Sequence, residues 1–344
     1  MTKGIAACLL VGVVACVCVS SALADDDPWV TYEGGDGPGA GTHIVLVGGD
    51  QEYRAEEGLP QLGKILAERH GFTTTVLFPI DPETGMIDPS NQTNLPGTQM
   101  LEDADLMIIS SRFLHLPADQ MEHIDAYVTA GKPVIGLRTA THAFRTSVED
   151  DPYYRYHHYS FDYEGSEWPG GFGRQVLGET WVDHHGEIDE EATRGRVAPG
   201  ADAHPILNGV QDGSLFVPTD TYEVRLPLPG NSEVLMLGEV VAGMDPEDPA
   251  VEGEKNNPMM PVAWTRTYVA PNGAAGTAFT TTMGSARDLL DENLRRLLVN
   301  ASYHLLDMDV PPEADVDLVG SYDPSPRGFE QYKENQHPSD YEMQ

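Results

Sequence analysis

The sequence predicts an α/β fold with a mostly parallel sheet and helices on both faces. Four short runs of nearly continuous apolar residues support this, because strands buried on both faces of a parallel sheet have this pattern. Amphipathic stretches at 57–70 and 117–130 alternate with the runs, and strands that alternate with helices imply βαβ units. The predicted strands are residues 43–47, 72–78, 104–110 and 133–137.

Both predicted helices carry the end signals of helices in a globular domain. The first places Leu59 and Leu62 on one face and stops at Gly71, and glycine commonly follows the last turn of a helix. The second begins with Pro117 and ends at Gly131, which matches the preference for proline at the start and glycine past the end.

The chain changes character after the fourth strand. Residues 148–175 are rich in tyrosine, histidine, tryptophan and glycine, which predicts a functional loop or insertion rather than disorder. Residues 286–306 are amphipathic and predict a final helix. Further strand candidates are residues 177–182, 214–217, 233–240, 261–266 and 276–282.

Net charge excludes two classes of partner. The chain has 344 residues, with 55 acidic and 20 basic side chains, and its net charge is −35. Such a surface repels nucleic acid phosphates and anionic lipid heads, so neither is an expected partner. Solubility is sufficient to explain the charge itself.

The N-terminus predicts an exported protein, either periplasmic or secreted. Lys3 precedes an apolar run that is too short for a typical spanning helix, and small residues at 22–24 predict cleavage before Asp25. Residues 1–24 are thus predicted to be a signal peptide, and lipoprotein anchoring at Cys16 is the alternative. All three cysteines lie in this segment, so the mature chain has no thiolate nucleophile and no disulfide.

The remaining chain divides into three predicted parts. Residues 25–41 are rich in aspartate and glycine and predict a linker, residues 42–310 form the domain, and residues 311–344 are predicted to be a C-terminal tail. No other stretch is apolar enough to span a membrane.

Polar segments follow three of the predicted strands, where ligands bind in open parallel sheets. The turn after the fourth strand has the layout of a nucleophile elbow, which exposes one side chain above the sheet, here Arg138. Arginine is neither a nucleophile nor a base, but it donates well to carboxylate, carbonyl and hydroxyl oxygens. Thr139 would need an adjacent base to act as a nucleophile, and helix capping is its alternative role. The polar segments are Gly49–Arg54, Ser110–His115 and Gly136–His142.

Five segments resemble the trehalose-utilisation (ThuA-like) family, within the class I glutamine amidotransferase-like superfold. They are GGDQEYRAEEGLPQLGKIL, GKPVIGLRTATHAF, HPILNGV, PVAWTR and TTTMGSARDLLDENLRRLLVNA, and they cover about residues 42–310. The resemblance implies a flavodoxin-like sheet and a role near carbohydrate metabolism, with oxidised (keto) sugars. Arg138 stands where amidotransferases carry cysteine and ThuA-like proteins commonly carry histidine. The chain is therefore not expected to be a working glutamine amidotransferase.

Together, the resemblance and the polar rim predict general acid/base chemistry on a small carbohydrate or keto sugar, of hydrolase or lyase type. The alternative is a non-catalytic carbohydrate-binding protein on a degenerate amidotransferase scaffold. The predicted catalytic residues are His142, His184 and Glu223. The predicted substrate-binding residues are Asp50, Tyr53, Arg112, Arg138, Thr139, His158 and His185.

Two further interpretations stay open at the level of sequence. Asp220 and Glu223 follow a proline-containing turn and bring carboxylates toward the rim, and Glu223 with Glu52 or Asp50 would be the pair for glycoside hydrolysis. No cofactor is required, but the histidine pairs at 157–158 and 184–185 allow a divalent metal. The sugar, the reaction and the oligomeric state are not decided by the sequence.

Overall fold

The computed structural model describes Met1 and residues 27–146, 151–159 and 168–343. Apart from Met1, the predicted signal peptide with Cys16 lies outside the described residues, as do parts of the aromatic insertion. The helices are α1 (Ala55–His70), α2 (Ala118–Thr129) and α3 (Glu292–Leu305). The strands are β1 (Trp29–Tyr32), β2 (His43–Val47), β3 (Thr73–Leu77), β4 (Leu106–Ile109), β5 (Val134–Leu137), β6 (Trp181–His184), β7 (Ala192–Val197), β8 (Phe216–Val217), β9 (Tyr222–Val224), β10 (Glu233–Val241), β11 (Met260–Val269) and β12 (Ala275–Thr281).

One large sheet organises the described part of the chain. Its ten strands lie in the order β1-β3-β2-β4-β5-β12-β11-β10-β7-β8. From β3 to β12 each neighbouring pair is parallel. The pairs from β12 to β8, and the β1–β3 pair at the other edge, are antiparallel. Strands β6 and β9 form a separate antiparallel ribbon.

The sheet is therefore mixed, and the prediction of a mostly parallel sheet was wrong for one half of it. For β11 and β12 the physical reason is the length of their connection. Only residues 270–274 join β11 to β12, and a parallel crossover needs a dozen residues or more. The α/β class and the parallel half from β3 to β12 are as predicted.

Helices cover both faces of the sheet, as predicted. Neighbouring residues of β2 point to opposite faces and enter two different cores, because side chains alternate along a strand. One core combines β2 with α1 and α3, and the other combines β2 with α2. Members of the first are Ile44, Leu46, Leu59, Leu62, Leu294 and Leu297, and members of the second are Val45, Val47, Ile124 and Val128.

Five elements differ from the sequence-based expectation. The predicted linker contains β1, which pairs with β3 at the sheet edge. The predicted strand at 177–182 is preceded by a π-helical turn, Gly173–Leu177, and the strand begins only at Trp181. Helix α3 begins after Asp291, whose side chain accepts a hydrogen bond from the Leu294 amide at 2.8 Å. Strands β7 and β9 were not predicted.

The C-terminal tail packs onto the domain. Ala314 and Val316 are buried in the first core, and the Tyr32 hydroxyl donates to the carbonyl of Tyr341 at 2.8 Å. The Gly328 amide donates to the Glu52 carbonyl at 2.8 Å. The tail thereby reaches the loop that follows β2.

No helix among residues 27–146, 151–159 and 168–343 is long and apolar enough to cross a membrane.

A buried carboxyl in α1 gives the fold a predictable pH dependence. Both carboxyl oxygens of Glu56 are buried without a hydrogen-bond partner. Burial raises the pKa of Glu56 from 4.5 to about 8, although Arg54 lies 3.7 Å away. The folded protein thus retains a proton that the unfolded chain loses near pH 4.5, so this carboxyl lowers stability as the pH rises toward 8.

Glu56→Gln is expected to remove this pH dependence. Relative to the native chain, the variant should gain on the order of 3–5 kcal/mol in unfolding free energy between pH 5 and pH 8. Urea unfolding at both pH values measures the difference, and Glu68→Gln, on the exposed side of α1, is the control. Parallel pH profiles for the native chain and Glu56→Gln would contradict this account.

Candidate active site

A cavity of about 60 Å³ opens at the carboxyl ends of β2, β4 and β5. This is the edge of a parallel sheet at which ligands bind. We call it the rim cavity. Its lining residues are Glu52, Tyr53, Arg112, Phe113, Arg138, Thr139, His142, Trp181, His184 and Tyr222.

Backbone strain concentrates around the rim cavity. The loops after β2, β4 and β5 each hold a non-glycine residue in the left-handed region: Arg54 at φ 64°, Phe113 at φ 57° and Arg138 at φ 45°. Residues other than glycine rarely adopt this backbone conformation, and those that do cluster at functional sites. Arg138 follows β5 directly and begins the turn Arg138–His142, so the structure has the strained strand-to-turn geometry of the predicted elbow.

Arg138 points into the protein and holds a buried carboxylate. Its Nη2 donates to Asp220 Oδ1 at 2.6 Å and to the Tyr53 hydroxyl at 3.0 Å. Its Nη1 donates to the carbonyls of Asp220 at 2.7 Å and Thr282 at 2.9 Å. The Arg138 and Asp220 side chains are both about 98% buried or more. Most of the arginine's hydrogen-bonding capacity is therefore used inside the protein.

His184 extends the Arg138–Asp220 pair to the rim cavity. Its Nδ1 lies 2.9 Å from Asp220 Oδ2. Burial disfavours the charge of Asp220, but Arg138 and His184 outweigh that effect and lower the pKa of the carboxyl. Because the ionised carboxylate only accepts, His184 Nδ1 carries a proton, and in the neutral form of the imidazole the lone pair is on Nε2. The His184 side chain is 36% exposed and lines the rim cavity.

A second histidine has its tautomer fixed by a chain of hydroxyls. The Tyr222 hydroxyl donates to the Arg138 carbonyl at 2.8 Å, so it accepts from Thr141 Oγ1 at 2.9 Å. Thr141 has then used its one hydrogen, so it accepts from His142 Nδ1 at 3.3 Å. His142 Nε2 is left with a lone pair.

His142 is held neutral inside the cavity wall. Its ring centroid lies 5.2 Å from that of Phe113 and 5.5 Å from that of Trp181. Burial, and then the nearby Arg112, lower the pKa of His142 well below its usual range. A second proton on this imidazole is therefore strongly disfavoured, and Nε2 of His142 presents a hydrogen-bond acceptor to the cavity.

Tyr53 is placed to donate. Its hydroxyl already accepts from Arg138 Nη2, so its own hydrogen is available to a ligand. Burial raises the pKa of Tyr53 to about 12, which keeps the hydroxyl protonated. The predicted residues Tyr53, Arg112, Arg138 and Thr139 all line the cavity.

Asp50 shapes the site without lining the rim cavity. Its Oδ1 accepts from the backbone amides of Glu52 at 2.8 Å and Tyr53 at 3.1 Å. Its Oδ2 accepts from the Thr139 hydroxyl at 2.5 Å. Asp50 therefore ties the loop after β2 to the elbow, and this bond occupies the hydroxyl of Thr139.

Three other predicted residues lie away from the cavity lining. His158 Nδ1 bonds to the Phe144 carbonyl at 3.1 Å, and burial lowers the pKa of His158 to about 3. His185 Nε2 bonds to the Lys255 carbonyl at 2.7 Å. Glu223 follows the cavity residue Tyr222 on β9, and successive strand residues face opposite ways.

Glu52 lines the cavity but was not selected from the sequence as a binding residue. Burial, and then Asp50, raise the pKa of Glu52. Its carboxylate lies 3.4 Å from Arg112 Nε and 3.2 Å from Arg327 Nη1. Arg327 comes from the C-terminal tail, so the tail contacts a residue of the cavity lining.

Phe113, Trp181 and Tyr222 were also not selected from the sequence. Each lies near a sequence signal: Phe113 is in the second polar rim segment, Trp181 is three residues before His184, and Tyr222 precedes Glu223. Asp220, which was considered only as one carboxylate among several, links Arg138 to His184.

The elbow turn is packed against the π-helical turn at Gly173. A Cβ at position 173 would lie 1.9 Å from the Thr141 carbonyl oxygen. Gly173→Ala is therefore expected to lower the unfolding free energy by about 1–3 kcal/mol or more through overpacking. Thermal unfolding measures the loss, with Gly35→Ala as the control, because nothing lies within 4 Å of its added Cβ. An unchanged midpoint for Gly173→Ala would contradict the close packing.

No three histidine, aspartate or glutamate side chains in the described ranges are grouped in a way that could hold a metal ion.

Comparison with known proteins gives a family and several solved structures, among them two ThuA-like proteins. A ThuA-like protein from Bacteroides uniformis is 15% identical, with 80% of this chain and 94% of that chain covered and a TM-score of 0.47. Another from Parabacteroides merdae is 13% identical, with 78% and 92% covered and a TM-score of 0.48. No curated protein matches this sequence. The model of the ThuA family, described as trehalose utilisation, matches residues 45–304. The chain belongs to the ThuA family.

Proposed function

We propose that this protein acts on a carbohydrate or an oxidised (keto) sugar by general acid/base chemistry, without a cysteine nucleophile. The observation that carries the proposal is the Asp220–His184 hydrogen bond of 2.9 Å, next to the rim cavity. A carboxylate that fixes the tautomer of an imidazole is the arrangement that prepares histidine as a general base. Arg138 keeps that carboxylate ionised.

The site fits removal of a proton from a carbon next to a carbonyl group. His184 Nε2 takes the proton, and the electron pair moves to the carbonyl oxygen, where the Tyr53 hydroxyl donates a hydrogen bond. Collapse of this enolate restores the carbonyl group and forms a double bond between the deprotonated carbon and the next carbon. The glycosidic carbon–oxygen bond at that next carbon breaks in the same step. The leaving oxygen takes the proton from His184. This gives a lyase-type reaction on a keto glycoside.

The topology supports the placement of the ligand. Counted among themselves in chain order, the five strands from β3 to β12 lie in the order 2-1-3-4-5, which is the order of flavodoxin-like sheets. Such sheets bind ligands where the order reverses, between the first and third strands. Here these are β2 and β4, whose following loops supply Tyr53 and Arg112 to the cavity. We infer a flavodoxin-like parallel half on this basis.

The site is also consistent with a protein that binds sugar without transforming it. The pKa of His142 lies too low for an efficient base at neutral pH, and Arg138 is engaged inside the protein. Under this second candidate, the two Nε2 atoms accept hydrogen bonds from sugar hydroxyls. Export directed by residues 1–24 is part of either proposal.

Thermal unfolding against a panel of ligands tests the proposed function. The panel contains mono- and disaccharides, their 3-keto forms and divalent metals. A sugar at 100 times its dissociation constant adds about 2.7 kcal/mol of stability, which raises the midpoint by several degrees, and His142→Ala should abolish the rise. Product analysis with that sugar then separates the enzyme from the binding protein. A panel in which no sugar raises the midpoint would overturn both candidates.

A further inference from the structure

Arg112 lies in the rim cavity with most of its hydrogen-bonding capacity unused. Its Nε lies 3.4 Å from Glu52 Oε2, and its side chain is 20% exposed. Within residues 27–146, 151–159 and 168–343, no group accepts a hydrogen bond from its Nη1 or Nη2. Arg138 differs, because both of its Nη atoms donate twice inside the protein. Arg112 therefore offers its terminal N–H groups to a ligand.

Two aromatic rings hold the guanidinium of Arg112. Its Cζ lies 4.4 Å from the ring centroid of Phe113 and 5.2 Å from that of Phe329, both within the range of a cation–π interaction. Phe329 belongs to the C-terminal tail, which is fixed at this point by the hydrogen bond from the Gly328 amide to the Glu52 carbonyl. A guanidinium that is already ordered loses less rotamer freedom on binding, and its planar fork matches a carboxylate.

Positive charge is concentrated at this edge of the sheet. A net charge of −35 disfavours an anion over most of the surface, so a site for an anion requires local cations. Five of the 20 basic side chains of the chain lie at or next to the loops around the rim cavity. They are Arg54, Arg112, Arg138, Arg145 and Arg327.

The neighbouring acids neutralise Arg112 only in part. Glu52 is the carboxylate beside it, and Arg327 shares that carboxylate from 3.2 Å away. Asp50 does not line the cavity, and its oxygens already accept from two backbone amides and a hydroxyl. After burial, Arg112 is the largest cause of the low pKa of His142, so its positive charge acts across the cavity.

The other polar groups of the rim cavity suit an acid that also carries hydroxyl groups. The Tyr53 hydroxyl offers a donor, and the Nε2 atoms of neutral His142 and His184 offer acceptors. The cavity volume of about 60 Å³ holds roughly four to six water-sized groups. This is room for a carboxylate and the adjoining carbon atoms with their hydroxyls.

We propose that the rim cavity selects an anionic ligand, whose carboxylate is held by the two Nη atoms of Arg112. This inference rests on the proposed function, which makes the ligand a carbohydrate, and it narrows that ligand to a sugar acid. Hydroxyl groups of the ligand donate to His142 and His184. Glu52 limits the affinity, because its charge repels the carboxylate of the ligand.

Calorimetric titration of the purified protein at neutral pH tests this assignment, with D-glucuronate, D-glucuronamide and D-glucose as probes. Glucuronate and glucuronamide have nearly the same shape and differ in charge at one group. The native protein is expected to bind glucuronate about 10- to 100-fold more tightly than glucuronamide, which is the usual contribution of hydrogen bonds to a charged group. Arg112→Gln should abolish this preference, and Arg112→Lys should keep part of it, because lysine retains the charge without the fork.

Two further variants make the test specific to Arg112. Arg145→Gln is the matched control, because Arg145 Cζ lies 5.3 Å from the same Phe113 ring and does not line the rim cavity. It should leave the preference unchanged. Glu52→Gln removes the competing negative charge, so it should increase the preference for glucuronate.

The outcomes separate this inference from the proposed function. Equal affinities for glucuronate and glucuronamide, or a preference that survives Arg112→Gln, would overturn the assignment of a carboxylate to Arg112. Binding of glucose or glucuronamide would then leave the sugar site standing. If none of the three probes binds, the sugar-acid inference is overturned, and the panel of disaccharides and keto sugars decides the proposed function separately.

Discussion

Asp220→Ala is expected to destabilise the folded protein by about 3–5 kcal/mol. The variant leaves the guanidinium of Arg138, whose side chain is 2% exposed, without its counter-ion. A buried charge that loses its partner keeps the full cost of desolvation. Urea unfolding at neutral pH measures the change.

A matched surface pair provides the control for this prediction. Asp212→Ala breaks a pair with Arg196 in which the carboxylate is 51% exposed, and exposed pairs contribute about 0–1 kcal/mol. The double variant Arg138→Leu/Asp220→Ala should recover part of the loss, because it removes both charges. If Asp220→Ala and Asp212→Ala lowered the unfolding free energy equally, the buried Arg138–Asp220 pair would stabilise the fold no more than an exposed pair does, which contradicts this account.

His184→Gln is expected to reduce turnover of a keto disaccharide by about 10²–10⁴-fold, the usual contribution of a general acid/base. Its effect on unfolding free energy should stay below about 1 kcal/mol, because the side chain is 36% exposed. Turnover is measured by release of the leaving sugar, and folding by urea unfolding of the same sample.

The neighbouring histidine is the natural control. His185 bonds to the Lys255 carbonyl and does not line the rim cavity, so His185→Gln should leave turnover within about twofold of the native value, as expected for a residue without a role in the transition state. If His184→Gln keeps its turnover, or His185→Gln loses as much, His184 is not the base.

Local patterns predicted the parallel half of the sheet well. The runs at 43–47 and 133–137 are nearly continuous in apolar residues and contain the buried strands β2 and β5, and this pattern is visible in sequence. The antiparallel half depends on pairing between β10, β11 and β12. The short connection at 270–274 is the feature of the sequence that indicates an antiparallel pair there. Strand β1 depends on β3, which is more than forty residues away in the chain, so local sequence carries little trace of it.

The rim residues could be predicted because strand ends fix their place. Tyr53, Arg112, Arg138 and His142 all follow predicted strands, and the structure brings them together in one cavity. His184 was predicted to be catalytic because histidine is a common acid/base residue. Its hydrogen bond to Asp220 depends on the pairing of β6 with β9.

Asp220 and Arg327 show what sequence reasoning lacks. Asp220 is one of 55 acidic residues, and only its burial against Arg138 distinguishes it. Arg327 lies in a polar tail, and its contact with Glu52 spans 275 positions of the chain. Such long-range contacts are set by the tertiary fold, and no local pattern encodes them.

The most direct test of the central claim is hydrogen exchange at the carbon next to the carbonyl of a 3-keto disaccharide, followed by NMR in D₂O. Asp220→Asn is the informative variant. Arg138 Nη2 requires an acceptor at the Oδ1 position, so the asparagine amide nitrogen must face His184 and donate to its Nδ1. The proton then moves to Nε2, and His184 can no longer act as a base.

The native protein is expected to exchange this hydrogen, or to eliminate the leaving sugar, about 10²–10⁴-fold faster than Asp220→Asn. Absence of exchange and elimination in the native protein, or equal rates in a folded Asp220→Asn variant, would contradict the assignment of Asp220 and His184 as the catalytic pair.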